Sequence, residues 1–186
     1  MVVDHNRALD DLLELIPIPG PPACESEVAT HIRRQLIDIG IPDSCITTDN
    51  AQDQSEYGDD TGNLLVTLDD GDADERWMFS THMDTVPGAV GTRPRVEGNV
   101  ITSDVTGKAL GGDNRAGCAL LLQIARSLVA REGRHRPITL AFFIQEEVGL
   151  VGARGMDLEK LGKPAPSLCF NFDGGAPDEI VSAVIG

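Results

Sequence analysis

Long apolar segments, paired cysteines and aromatic side chains are all scarce in this sequence. No run approaches the roughly 18 apolar residues that a membrane-spanning helix requires, and no basic segment leads into an apolar one at the N-terminus. Neither a membrane anchor nor a signal peptide is therefore expected. The four cysteines form no Cys-x-x-Cys pair, which argues against a disulfide framework and a cysteine-based zinc site. We expect a protein of the reducing cytoplasm.

Basic residues are also scarce. The chain has 15 Lys and Arg against 30 Asp and Glu, which gives a formal net charge of −15. A chain of this charge repels the phosphates of nucleic acids and anionic membrane surfaces, so we expect neither as a partner. Much of the acidic excess lies between residues 49 and 75, which we expect to be a solvated surface loop.

The apolar residues, 41% of 186, suffice for one domain with a real core. Their spacing separates segments with helical periodicity from short apolar runs typical of strands. Strands that alternate with helices predict an α/β fold, a three-layer α/β/α arrangement around a mostly parallel mixed sheet. The predicted helices are 5–16, 25–39 and 114–131, and the predicted strands are 63–68, 76–82, 137–145 and 167–172, with a hairpin at 93–102.

Acidic and histidine side chains follow the predicted strands, at the ends where parallel α/β sheets bind ligands. His82 and Asp84 lie on one face of an extended segment, so Asp84 would fix the orientation of an imidazole that binds a metal. Asp113 opens the third helix and is predicted to cap it through the backbone N–H groups of the first turn. Taken singly, a surface coincidence explains His82 and Asp84, and an ordinary helix cap explains Asp113.

Two further acidic segments follow strands. Glu146 and Glu147 come directly after a long apolar run, where like charges oppose ionisation unless a cation neutralises them. Asp173 precedes two glycines, as in many turns. A solvated acidic pair and a plain turn are the alternatives, and the order of all four segments along the chain is what indicates a metal site.

These segments resemble the co-catalytic zinc exopeptidase and deacylase family, and within it the peptidase T branch. The resemblance rests on Thr-His-Met-Asp-Thr-Val-Pro at 81–87, Leu-Gly-Gly-Asp-Asn-Arg-Ala-Gly at 110–117, and Gln-Glu-Glu-Val-Gly-Leu-Val-Gly-Ala at 145–153. It implies a zinc peptidase fold and amide hydrolysis by an activated water, on a small peptide substrate such as a tripeptide. Two Zn²⁺ ions are implied, with Co²⁺ or Mn²⁺ as alternatives.

The resemblance also implies a role for each matching residue. His82 and Asp173 would bind one zinc ion, Asp113 would bridge both ions, and Glu147 would bind the second. Asp84 would orient His82, and Glu146 would be the general base. The peptide bond after Asp113 is expected to be cis.

Relative to this family, we expect residues 1–186 to be the N-terminal portion of the catalytic domain. The lid domain, through which the family forms homodimers, and a further histidine ligand would lie outside it, which makes activity of this chain by itself uncertain. Within the same family, an N-acyl-amino-acid deacylase or a carboxypeptidase is the alternative. A non-catalytic metal-binding remnant and a metal-free α/β binding domain are alternatives of other classes.

Overall fold

The computed structural model describes residues 4–58, 60–69, 74–131, 135–175 and 179–182. These residues form helices and strands in the alternation that the sequence predicts. The helices are α1 His5–Leu15, α2 Ser26–Ile39, α3 Gly112–Val129 and α4 Val151–Arg154. The strands are β1 Ile46–Thr48, β2 Leu64–Leu68, β3 Arg76–His82, β4 Pro94–Glu97, β5 Val100–Ser103, β6 Ile138–Phe143 and β7 Pro166–Asn171.

Five strands form one mixed sheet in the order β1-β2-β6-β3-β7. The pairs β6–β3 and β3–β7 are parallel, whereas β1–β2 and β2–β6 are antiparallel. In the parallel part, His82 at the end of β3 is in register with Phe143 at the end of β6. The carboxyl ends of β6, β3 and β7 therefore meet at one edge of the sheet. The predicted α/β class is confirmed, and the parallel half of the sheet is the half that carries the predicted site.

The main core lies between one face of the sheet and α1, α2 and α3. Leu36 of α2 and Leu122 of α3 are fully buried in the same apolar cluster as Leu140 and Phe142 of β6. The opposite face of β6 is buried as well, in a smaller cluster that includes Phe143. A strand buried on both faces reads as a continuous apolar run, which is why the sequence from 137 onward predicts it.

The strand β7 differs from the other sheet strands because its side chains are largely exposed on both faces. Leu168 is 43% exposed and Phe170 is 39% exposed, although Phe170 stacks on Phe79 with ring centroids 5.4 Å apart. A separate hairpin of β4 and β5 lies near the predicted 93–102.

Residues 49–75 are only partly a solvated loop. Asp49 is 1% exposed, because its Oδ1 accepts hydrogen bonds from the backbone N–H groups of Ala51 and Asn63. The prediction is wrong at this residue, where backbone donors take the place of water. The stretch also contains a 3-10 helix, Ala51–Gln54, and strand β2. Its residues 59 and 70–73 lie outside the described part of the chain.

None of the helices in the described ranges combines the length and the apolar character that crossing a membrane requires.

Candidate metal centre

The imidazole of His82 is the centre of the candidate site. His82 is the last residue of β3 and is 2% exposed. Its Nδ1 lies 3.0 Å from the backbone oxygen of Asp84 and 3.2 Å from the Asp84 Oδ1. These two oxygens orient the ring and leave Nε2 directed at the open edge of the sheet, which is the arrangement that metal-binding histidines use.

Asp84 has a second function besides holding His82. It is fully buried, and its two carboxylate oxygens accept hydrogen bonds from the backbone N–H groups of Glu146, at 2.9 Å, and Glu147, at 3.0 Å. One buried carboxylate thus links the end of β3 to the loop after β6. The sequence predicted the contact with His82 and did not predict the contact with this loop.

Two further carboxylates face Nε2 of His82. Asp113 Oδ1 lies 3.1 Å from Nε2, and Asp173 Oδ1 lies 3.5 Å from it. The ligand atoms of these three residues all lie within 4.8 Å of one another. One nitrogen and two carboxylate oxygens converging on one point are a suitable donor set for a divalent cation such as zinc.

Glu146 and Glu147 form a second group with the same histidine. One ligand atom from each of Glu146, Glu147 and His82 lies within 4.8 Å of the others, and Glu146 Oε2 is 3.9 Å from His82 Nε2. Burial raises the pKa of Glu146, and the nearby carboxylates of Asp173 and Asp84 add to the increase while His82 opposes it. Burial likewise raises the pKa of Glu147.

The surrounding carboxylates raise the pKa of the histidine as well. Burial by itself lowers the pKa of His82, but the hydrogen bond to Asp84 and the negative charges of Asp84, Asp173 and Glu146 outweigh it and raise the pKa to about 9. Without a bound cation, His82 is therefore protonated at neutral pH, and this positive charge partly balances the carboxylates.

The start of α3 differs from the prediction in one respect. Asp113 does not cap the helix, because its carboxylate faces His82. Asn114 caps it instead, and its Oδ1 accepts a hydrogen bond from Gly117 N at 2.9 Å. The peptide bond between Asp113 and Asn114 is cis, as expected. A side chain at Gly117 would collide with Thr81 of β3, so this glycine allows α3 to approach the site closely.

Asn114 and Arg115, which follow Asp113, connect separate parts of the site. Asn114 Nδ2 donates a hydrogen bond of 2.7 Å to Phe172 O, beside Asp173. The buried Arg115 donates one of 2.5 Å to Met83 O, between His82 and Asp84. Neither role was predicted from the sequence. Polar side chains at the start of an otherwise apolar helix were the available signal.

The other three histidines lie in different places. His5 is in α1, and His31 in α2 lies 3.8 Å from Glu14. His135 Nδ1 lies 2.6 Å from the backbone oxygen of Arg136. Within the described ranges, both groups of possible metal ligands use His82 as their only imidazole.

A cavity of about 290 Å³ adjoins the candidate ligands. Its lining is mainly apolar. Met78, Phe143 and Met156 are among its apolar residues, and His82, Glu146 and Asp173 are among its polar ones.

Comparisons with known proteins give matches over most of the chain. The sequence profile of peptidase family M28 matches residues 63–182. Among curated proteins, the uncharacterized protein YqjE of Bacillus subtilis is 31% identical over 156 residues, which are 84% of this chain and 40% of that protein.

Solved structures give a similar result. A tripeptidase from Staphylococcus aureus superposes with a TM-score of 0.82 and 26% identity, over 95% of this chain and 45% of that one. The aminopeptidase PepT from Bacillus cereus has a TM-score of 0.81 and 27% identity, over 94% and 44%. An aminoacylhistidine dipeptidase from Vibrio alginolyticus, at 22% identity and a TM-score of 0.68, shares the fold. The chain spans less than half the length of each of these relatives.

Proposed function

The chain belongs to peptidase family M28, and on this basis we propose that it binds divalent metal ions, zinc in the first place, for the hydrolysis of short peptides from their amino terminus. One observation carries the proposal. Asp113 and Asp173 direct carboxylate oxygens at the same imidazole nitrogen of His82, and the three ligand atoms lie within 4.8 Å of one another.

The residues present fit a divalent cation. Five carboxylates surround one imidazole, and in the metal-free protein a proton on His82 offsets part of this negative charge. A zinc ion would replace that proton and add a second positive charge among ligands of the type it prefers. The five carboxylates belong to Asp84, Asp113, Glu146, Glu147 and Asp173.

Each residue would then have one role. His82 and Asp173 would hold one ion, Asp113 would be shared between two ions, and Glu147 would hold the second. Asp84 would keep Nε2 of His82 directed at the metal. Divalent ions in such a site polarise the scissile carbonyl and lower the pKa of the attacking water.

Glu146 would move the proton of the reaction. Its pKa is raised from the usual range by burial, which makes its carboxylate a stronger base than one in water. It would accept the proton of the attacking water and donate it to the leaving nitrogen. Because Glu146 N is fixed by the buried Asp84, the side chain starts from a defined position.

The substrate class rests on the relatives and on the cavity. Two solved structures above 25% identity are a tripeptidase and an aminopeptidase. The cavity beside His82 has a volume near the lower limit of small-molecule sites, which suits one or two amino-acid residues. A tripeptide cleaved after its first residue, in the cytoplasm, is accordingly the proposed substrate.

The test begins with metal binding. Calorimetric titration of the purified wild-type chain with zinc should show specific binding. The Asp113→Ala substitution should abolish or strongly weaken this binding. Asp43→Ala removes an exposed carboxylate that pairs with Arg33 far along the sequence from the site, and this control should bind zinc like the wild type.

Peptide hydrolysis is then measured with unblocked tripeptides and, in parallel, with N-acyl amino acids. Metal-dependent release of the amino-terminal residue supports the proposal, whereas preferential release of an acyl group would replace it with a deacylase. A chain that binds no metal, or binds it equally well without Asp113, would contradict the proposed site.

A further inference from the structure

The backbone of the loop after β6 is held by hydrogen bonds to buried carboxylates. Three consecutive N–H groups, those of Gln145, Glu146 and Glu147, all donate to carboxylate oxygens. Asp84 accepts two of them. The third, from Gln145, goes to Glu25 Oε1 at 2.9 Å, although 120 residues separate the two in sequence.

Gln145 is the residue that sets the direction of the loop. It has a φ of 51°, in the left-handed region that non-glycine residues seldom adopt. Its side chain is fully buried, accepts a hydrogen bond from Ser55 Oγ at 2.5 Å and donates one to Gly58 O at 2.8 Å. A residue in this conformation needs support from its surroundings, and the direction of the following Glu146 depends on it.

Glu25 is well placed to give that support. It is the residue immediately before α2, it is fully buried, and its backbone oxygen accepts a hydrogen bond from Ala29 N at 2.9 Å. Its side chain makes no capping hydrogen bond with α2 and instead reaches the Gln145 backbone. A charged acceptor forms a stronger hydrogen bond than a neutral one, and the helix holds it in a fixed position.

A buried cation accompanies the two carboxylates. Arg115 is fully buried, and its guanidinium interacts electrostatically with both Asp84 and Glu25. The same guanidinium donates hydrogen bonds to Met83 O and to Ile18 O, in the connector that leads to Glu25. The cation thus joins the segment that carries His82 to the segment that carries Glu25.

We propose that Glu25 is a positioning residue, which fixes the backbone of Gln145 and thereby the direction in which Glu146 and Glu147 face the metal. This inference rests on the proposed function, because it assigns Glu25 to the support of the same site. Glu25 belongs to neither group of possible metal ligands and acts on the site through the loop.

The test compares substitutions of Glu25 by zinc affinity, measured in competition with a chromogenic chelator. Glu25→Ala removes the acceptor, and we expect a 10- to 100-fold loss of affinity, as for other residues that orient metal ligands. Glu25→Gln keeps an oxygen that accepts the Gln145 N–H, and it should restore affinity to within about threefold of wild type. The absorption spectrum of the Co²⁺-loaded chain should change in Glu25→Ala and recover in Glu25→Gln.

Asp11 provides a matched control. It is also a fully buried carboxylate, but it pairs with Arg7, Gln123 and Arg126 between α1 and α3. Asp11→Ala should lower the melting temperature and leave zinc affinity and the Co²⁺ spectrum unchanged. If Glu25→Ala does not fold, Glu25→Asp keeps the charge, withdraws the oxygen by about 1.5 Å and carries the same expectation of weaker binding.

The outcomes separate the two proposals. A wild-type chain that binds no metal overturns the proposed function itself. A wild type that binds zinc while Glu25→Ala, or Glu25→Asp in its place, binds it equally well overturns the positioning role. An equal loss of affinity in Asp11→Ala also overturns that role, because general destabilisation would then explain the effect.

Discussion

Zinc binding should displace a proton from His82. The pKa of this histidine is about 9 in the metal-free protein, and a metal ligand must be unprotonated. At pH 8, one unit below this pKa, about nine-tenths of the His82 side chains carry the proton that zinc has to replace. We therefore expect binding at pH 8 to release about 0.9 proton from this residue.

The same competition sets the pH dependence of the affinity. At pH 7, two units below this pKa, competition from the proton should weaken the apparent zinc affinity about 100-fold relative to unprotonated His82. This factor corresponds to about 2.7 kcal/mol. From pH 7 to pH 8 the apparent affinity should thus rise about tenfold. The side chain is 2% exposed, so solvent screening reduces this effect little.

The folding stability of the metal-free protein should change with pH in the opposite direction to the zinc affinity. The folded pKa of His82 lies above its ordinary value of 6.5, so its protonation stabilises the folded state fully below pH 6.5. This contribution, about 3 kcal/mol, is lost as the pH rises through 9. Rising pH should therefore lower the melting temperature of the metal-free chain while it strengthens zinc binding.

The assay is calorimetric titration at pH 8 in several buffers with different ionisation enthalpies, since the dependence of the observed enthalpy on the buffer gives the number of protons released. His31→Gln is the matched control, because burial lowers the pKa of His31 and leaves it neutral at pH 8. Tight zinc binding with a release below about 0.3 proton would refute the reasoning, and so would a loss of the release in His31→Gln.

Three further predictions concern single residues and the metal. Glu146→Gln should leave zinc affinity within about threefold in calorimetry but slow tripeptide hydrolysis 10²–10⁴-fold, and equal loss of both would contradict a role as base. Asn63→Ala should lower the free energy of unfolding, measured in urea, by about 3 kcal/mol, because it breaks three buried side-chain hydrogen bonds. A loss below about 1 kcal/mol would contradict this structural role. Zinc at about 100 times its dissociation constant should stabilise the fold by about 2.7 kcal/mol, and an unchanged melting temperature in differential scanning calorimetry would argue against specific binding.

The predicted site residues could be located from the sequence because they follow strands. A strand buried on both faces is a continuous apolar run, and such a run ends just before Glu146. The strand before His82 is equally clear, and β3 and β6 are parallel. Parallel strands place their carboxyl ends at one edge of the sheet, so the sequence order of the motifs predicts their proximity.

The supporting hydrogen bonds could not be predicted in this way. Asn63 Nδ2 donates to Asp49 Oδ2 and to Gly152 O, and Asn63 Oδ1 accepts from Ile144 N. Asp49 lies in a stretch so acidic that a solvated loop was the natural prediction. Whether an acidic residue is exposed depends on the backbone donors that distant segments bring to it. The spacing of residues along the sequence does not predict these donors.

The cap of α3 shows a similar limit at short range. Asp113 and Asn114 are both good N-cap residues, so propensity does not decide between them. The structure gives the cap to Asn114, because the carboxylate of Asp113 faces His82 across the sheet edge. A tertiary contact thus selected between two locally equivalent residues, and a shift of one position decides which of them is available as a metal ligand.

The distribution of charge explains why some acidic residues support the site and others remain available to a metal. The Asp84 carboxylate is fully buried, and backbone N–H groups and the His82 ring satisfy it. The side chains of Asp113, at 58% exposure, and Asp173, at 37%, have solvent on one side. A buried carboxylate with such partners gains little from a cation, whereas two partly exposed carboxylates beside a protonated imidazole gain charge neutralisation without a full desolvation cost. The site should therefore bind metal through its exposed carboxylates and keep its shape through the buried one.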